Sequence, residues 1–174
     1  DDARRQFEVN IFGLARITQA VLPTMRQQQS GTIINISSVG GKIYTPLGSW
    51  YHATKHALEG WSDCLRLELN PLGIDVVIVE PGLIATEIAD VMYDPLVERS
   101  IADATQKTYR ESAGDKSTSP QIIAELIEKA INSSKPKTRY SGGKMSGLLL
   151  GMRRWLSDRM FDRAVMSQLR GLGK

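Results

Sequence analysis

Tyr51 and Lys55 stand four residues apart in the run Tyr51-His52-Ala53-Thr54-Lys55. On a helix, side chains at i and i+4 share a face, about 5–6 Å apart at Cβ. An ammonium in that position favours the ionised phenol and draws a tyrosine below its usual pKa of about 10. A tyrosine tuned in this way can pass a proton to or from a carbonyl oxygen near neutral pH. The spacing alone is weak, because it occurs twice. Tyr140-Ser141-Gly142-Gly143-Lys144 repeats it. Gly142 and Gly143 argue against a helix there, so the second pair need not share a face and is read as coincidence.

The elements that would position the first pair follow from periodicity. Phe7, Ile11, Leu14, Ile17, Val21 and Leu22 recur near helical spacing and predict a helix from Asp1 to about Gln28, stopped by Ser30-Gly31. Thr32 to Ser37 is short, apolar and β-branched, which predicts a buried strand. A Gly-bearing loop follows from Val39 to about Ser49. Residues 50–71 predict a helix with Ala57, Leu58, Trp61, Leu65 and Leu69 as its apolar stripe, ended by Pro71-Leu72-Gly73. Ile74 to Val79 is near-continuous Val/Ile, the pattern of a parallel strand covered on both faces. Strand, helix, strand at this length is a βαβ unit of a doubly wound α/β fold. Residues 83–118 are polar and weakly periodic and read as a loop or lid. A helix opening at Ser119-Pro120, a short strand over 138–141 and one amphipathic helix over 145–169 complete the expectation.

Other residues collect around Tyr51. Ser37 and Ser38 end the first strand at the carboxyl edge of a parallel sheet, where α/β folds bind ligands. The second strand ends at the same edge in Pro81-Gly82, with Thr86 four residues on. Asn10 is a polar residue among apolar neighbours of the first helix.

Asn10 within Val9-Asn10-Ile11-Phe12-Gly13, Ser38 in Ile36-Ser37-Ser38, Tyr51 with Lys55, and Pro81-Gly82-Leu83-Ile84-Ala85-Thr86 together resemble the short-chain dehydrogenase/reductase pattern in order and spacing. The resemblance is specific over about residues 1–90 and weak beyond. Its flavour is similar to the 17β-hydroxysteroid- and retinol-dehydrogenase-like members, on the Ser-Val-Gly-Gly run and the basic tail. It implies an NAD(P)-dependent oxidoreductase that interconverts a secondary alcohol and a ketone on a Rossmann-like, three-layer α/β/α fold. Tyr51 would be the general acid/base. Lys55 would lower its pKa and hold the nicotinamide ribose. Ser38 would bond the substrate oxygen, and Asn10 would anchor a water in a proton relay. Pro81, Gly82, Ile84 and Thr86 would grip the nicotinamide. Val39, Leu83 and Met92 join Ser38 and Tyr51 as substrate contacts, and the apolar residues of the 83–118 segment suggest an apolar, lipid- or steroid-like substrate.

The departures from the pattern matter as much. Nothing of the form G-x-G-x-x-G or T-G-x-x-x-G-x-G occurs, and no Asn-Asn-Ala-Gly run. The expectation is therefore a single incomplete NAD(P)-binding domain over residues 1–174, missing about the first mononucleotide-binding half. Its parts would be a catalytic core over 1–82, a lid over 83–118 and C-terminal helices over 119–174. This chain alone is expected to bind NAD or NADP poorly and to be inactive, and the preference between the two is left open. A dinucleotide sensor without chemistry, or a membrane-peripheral binding protein, is the competing reading of the same fold.

Composition sets further bounds. Of 174 residues, 41% are hydrophobic and 24% charged, as in an ordinary globular protein. The single cysteine, Cys64, precludes an internal disulfide, which suggests a reducing, cytoplasmic compartment; Cys64 is expected to pack in its helix. Residues 1–134 carry a net charge of −5 and residues 135–174 one of +8. The basic tail either packs on the core or lies on an anionic membrane surface. No motif supports nucleic-acid binding. His52 and His56 have metal-ligand spacing but no third ligand nearby, so no metal is expected. Asn35 and Asn132 head glycosylation sequons read as inert. A homo-oligomer, dimer or tetramer, is expected for the full-length protein.

Overall fold

The computed structural model describes residues 2–46, 48–84 and 118–170. The chain enters through helix α1 (Asp2–Phe7), a wide π-helical turn (Glu8–Gly13) and helix α2 (Leu14–Gln28). A single straight helix was the expectation; the π turn interrupts it at the segment that holds Asn10. Such turns concentrate at functional sites because they redirect one side chain without ending the helix. Gln29 closes α2 in the left-handed conformation, and the amides of Gln29 and Ser30 both reach the Met25 carbonyl.

Strand β1 (Gly31–Ile36), helix α3 (Ser49–Leu69) and strand β2 (Ile74–Pro81) form the expected βαβ unit. Gly73 makes the turn into β2 at φ 71°, and a Cβ there would lie 2.3 Å from the Gln29 carbonyl oxygen. Only glycine meets both demands. Helix α4 (Gln121–Ile131) leads to strand β3 (Arg139–Gly142). The three strands are parallel in the order β1-β2-β3, with Ile33 beside Val76 and Val79 beside Tyr140.

The sheet is covered on both faces. Ile33, Ile74 and Val76 pack with Leu65 and Leu69 of α3 and with Leu22 and Met25 of α2. On the opposite face Val77 and Ile34 pack with Tyr140 and with Leu126 and Ala130 of α4. Val76 to Val79 are each at most 2% exposed. This double burial is what the unbroken Val/Ile run of β2 anticipates; covering each such side chain contributes about 1.5–3 kcal/mol. The doubly wound α/β fold thus stands as expected.

The C-terminal region differs from the expected single helix. It forms two, α5 (Ser146–Trp155) and α6 (Asp158–Arg170), broken at Leu156-Ser157, where Leu156 turns extended. The break has a packing cause. Phe161 is fully buried with Val39 and Ile43, and Leu149, Leu150, Met152 and Val165 close around them. One straight helix could not bring residues on both sides of the break onto the same cluster. Both helices therefore sit on the segment that follows β1.

Candidate active site

Helix α3 runs from the carboxyl edge of the sheet and carries most of the polar groups there. Tyr51 and Lys55 share a face, with the Lys55 Nζ 5.9 Å from the centre of the Tyr51 ring. Lys55 donates one hydrogen bond of 2.9 Å to the Ile36 carbonyl oxygen at the end of β1. Burial holds the Lys55 ammonium below the ordinary lysine range, while the Glu59 carboxylate works the other way. The second copy of the spacing behaves differently. Tyr140 lies in β3 within the core, and its hydroxyl accepts the Lys137 amide. The glycines after it belong to strand and turn, as expected.

Ser38 follows β1 and starts a short 3-10 turn over Val39–Gly41, where its Oγ accepts the Gly40 amide at 3.0 Å. That bond is the cap of the turn. A Cβ on Gly40 would stand 3.1 Å from the Tyr51 ring, so Gly40 bridges the serine hydroxyl and the phenol. Gly41 admits still less: a Cβ there would lie 2.8 Å from the Ser37 Oγ and 3.0 Å from the Lys55 carbonyl oxygen. Val39 packs in the Ile43 and Phe161 cluster at 6% exposure. Its side chain is a core contact, a physical reason against the substrate role expected for it.

His52 is buried beside this turn. Thr45 donates its amide to Nε2, which leaves Nδ1–H to donate to the Gly40 carbonyl oxygen at 2.9 Å. Burial keeps the ring below the ordinary histidine range, against the pull of the Gly40 and Ile43 carbonyls. The two-histidine spacing had suggested only a discarded metal site. Sequence reasoning missed the clamp, because nothing in the spacing reveals a partner on a loop.

Asn10 reaches α3 from the π turn. Its amide donates to the Thr54 Oγ1 at 3.0 Å, and that hydroxyl donates to the Tyr51 carbonyl oxygen at 2.8 Å. Asn10 is thus tied to the helix backbone at the turn that carries Tyr51. Thr54, fully buried inside the Tyr51 to Lys55 run, was overlooked as its partner.

The turn after β2 is held by the chain after β3. The Gly82 amide donates to the Gly142 carbonyl oxygen, and the Leu83 amide to that of Lys144. Pro81 pairs with Gly142, and Ile84 bridges to Thr118. Pro81, Gly82, Leu83 and Ile84 therefore stand at the same sheet edge as Ser38. Thr86 and Met92, with most of the expected lid, lie outside the described residues.

A charged cluster lies one turn beyond Lys55. Glu59, 3% exposed, pairs with Lys42 at 2.9 Å and Arg139 at 3.0 Å. Arg139 also meets Asp63 at 2.7 Å and Glu80 at 3.3 Å. Burial and then the neighbouring Glu59 push the Glu80 carboxyl up, opposed by Arg139 and Lys42. Burial raises Asp63 as well, but hydrogen bonds from Arg139 and Arg66 outweigh it and bring it down. The cluster joins α3, β2, β3 and the loop after Ser38. Its only sequence signal is that Glu59 continues the face of Tyr51 and Lys55. Cys64, expected to pack, is exposed. Its helical neighbour Leu65 takes the core position instead. Asn35 is buried in β1 and bonds the Ser62 hydroxyl, as its place in a buried strand implied.

A family model described as short chain dehydrogenase matches residues 1–95. An uncharacterized oxidoreductase of Schizosaccharomyces pombe is 35% identical over 163 residues, covering 89% of this chain and 66% of its own. A short-chain dehydrogenase from Streptomyces avermitilis has a solved structure that superposes with a TM-score of 0.74 at 31% identity, over 98% of this chain and 62% of the other. The closed form of a serine dehydrogenase complexed with NADP+ superposes at 0.66 with 26% identity, over 80% and 54%. The chain spans from 50% to 66% of the length of such curated relatives. On the matched model, the sequence relatives and the superposed folds together, this chain belongs to the short-chain dehydrogenase family.

Proposed function

We propose that the protein is an NAD(P)-dependent oxidoreductase that interconverts a secondary alcohol and a ketone, with Tyr51 as general acid/base. The observation that carries this reading is that the Tyr51 ring has the Lys55 ammonium 5.9 Å from its centre and lies close to Gly40, whose amide holds the Ser38 hydroxyl. Tyr51 gives its proton to the substrate oxygen on reduction and takes it back on oxidation. Lys55 makes that exchange easier by stabilising the tyrosinate. Ser38 already accepts from Gly40, so its own hydroxyl proton remains to be donated to the substrate oxygen. Asn10 supports the same turn of α3 and anchors the relay that refills the proton.

The residues at this edge fit the nicotinamide end of NAD or NADP. An ammonium has three donors, and one of those on Lys55 goes to Ile36. No other described residue takes the remaining two, which suit ribose hydroxyls. Pro81, Gly82, Ile84 and Thr86 would hold the nicotinamide. Bound there, the cofactor supplies or accepts the hydride. The cofactor preference is left open, and the phosphate-binding glycine loop is not among this chain's motifs. Leu83 and Met92 favour an apolar substrate, and the basic tail favours kinship with the 17β-hydroxysteroid- and retinol-dehydrogenase-like members.

The test is turnover by the full-length protein on a panel of apolar and charged alcohols and ketones, with each cofactor. Oxidation or reduction of apolar secondary alcohols and ketones is expected. Cofactor binding with no turnover anywhere on the panel would favour a dinucleotide sensor instead. Two surface features support partners. Val9, Phe12 and Ile17 are exposed apolar residues on the first helices, suited to a homo-oligomer. Trp155 is 81% exposed with Arg154 over its ring, which suits contact with an anionic membrane. Salt-sensitive flotation with anionic liposomes tests the latter.

A further inference from the structure

Among the buried titratable groups, His52 makes contacts that the proposed chemistry does not use. Both ring nitrogens are engaged by one loop. Nδ1–H donates to the Gly40 carbonyl oxygen at 2.9 Å, and Nε2 accepts the Thr45 amide at 3.1 Å, with the Thr45 hydroxyl at 3.0 Å. Gly40 in turn donates its amide to the Ser38 Oγ. The ring also stands edge-on to Tyr51, with centres 5.7 Å apart. A Cβ on Gly40 would meet both rings at 3.1 Å. The imidazole thus holds the Gly40 peptide that bonds the Ser38 hydroxyl and stands against the Tyr51 ring.

We propose that His52 is a positioning residue, whose neutral ring pins the 40–45 segment so that the Ser38 hydroxyl keeps its place beside Tyr51, and whose protonation releases that segment. The inference rests on the reading of Ser38 and Tyr51 as the working pair. Its chemistry is simple. A proton added to Nε2 turns an acceptor into a donor, which the Thr45 hydroxyl oxygen at 3.0 Å can accept but the Thr45 amide cannot, so the amide loses this acceptor and is turned away from the ring.

The surrounding groups do not hold the proton on. On α3, His56 one turn away repels a second charge, and the Tyr51 ring is a neutral neighbour set roughly perpendicular to the imidazole. On the loop, Lys42 is committed to Glu59 and Tyr44 to Asp162 of α6. No carboxylate among the described residues pairs with His52. The ring titrates below its unfolded value, so its contribution is complete above the unfolded histidine range. It is lost as pH falls through the folded value.

The test measures hydrogen-exchange protection of the Gly40 and Thr45 amides in the full chain, corrected for intrinsic rates, between about pH 7.5 and pH 5. For the wild type, protection at Thr45 is expected to fall about tenfold with acid. His52→Asn keeps a donor for Gly40 and has no titrating ring, so its protection should not vary with pH. His52→Leu should be poorly protected throughout. In parallel, NADPH-linked reduction of acetophenone should show an acid limb in kcat that His52→Asn lacks. The loss in His52→Leu should appear in kcat rather than KM. Unchanged Gly40 and Thr45 protection in His52→Leu, or pH-independent protection in the wild type, would overturn the clamp while leaving the catalytic pair intact. Full turnover in Tyr51→Phe would instead remove the pair itself, with the exchange pattern unaltered.

Discussion

Tyr51 with Lys55 and Tyr140 with Lys144 have the same spacing and opposite surroundings. The first pair lies on α3, where the turn of the helix sets ammonium and phenol on one side, half-buried at the end of two strands. The second begins in β3, where Tyr140 is buried at 7% exposure and accepts a backbone amide. Two glycines then carry the chain into a turn, Gly143 at φ 89°. The comparison shows that four-residue spacing has chemical meaning only where a helix converts it into proximity. A tyrosine already committed to a backbone donor in the core is a structural group.

Substitutions can break that comparison. The largest effect is expected from Tyr51→Phe, which removes the proton donor: turnover should fall by about 10²–10⁴-fold. Melting temperature should barely move, since the hydroxyl lies at a half-open edge. Lys55→Met should also depress turnover strongly and shift its pH dependence upward, because the tyrosinate loses its nearest cation. Lys144→Met should leave both unchanged.

Stability sharpens the contrast from the other side. Glu59→Gln removes the buried carboxylate that Lys42 and Arg139 share, leaving Arg139 only Asp63 and Glu80, and is expected to cost about 3 kcal/mol in denaturant unfolding. Tyr140→Phe orphans the Lys137 amide, for a loss of about 1 kcal/mol with turnover intact. Glu80→Gln should be the mildest. The folded protein raises the Glu80 carboxyl, so the charged form is disfavoured in the native state. That penalty is absent below the unfolded carboxylate range and appears as pH rises through the folded value. The variant should therefore be as stable as the wild type or slightly more so near neutral pH.

Much of this was legible in the sequence because it depends on local pattern. The two strands expected over 32–37 and 74–79 and the helix expected over 50–71 form within two residues of those bounds, at 31–36, 74–81 and 49–69, because periodicity, β-branching and Pro-Gly stops are local signals; the shared face of Tyr51 and Lys55 follows from that helix. The π turn at Asn10 was not legible, since one extra residue in a helical turn leaves the apolar period almost unchanged. The break at Leu156-Ser157 escaped for a similar reason: Phe161 must fold back onto Val39 and Ile43, a contact more than a hundred residues away in sequence. His52 and Glu59 were hidden more deeply. Their contacts are with Thr45, Gly40, Lys42 and Arg139, which only the folded loop after β1 and the pairing of β3 on β2 bring to α3. The resemblance to a known family supplied roles for Asn10, Ser38, Tyr51 and Lys55 that spacing alone could not.

Side-by-side kcat/KM for Tyr51→Phe and Tyr140→Phe in the full-length protein, on one apolar ketone with NADH and NADPH, tests the central claim most directly. The account predicts near-complete loss in the first and wild-type turnover in the second. Retained turnover in Tyr51→Phe, or equal loss in both, would contradict it.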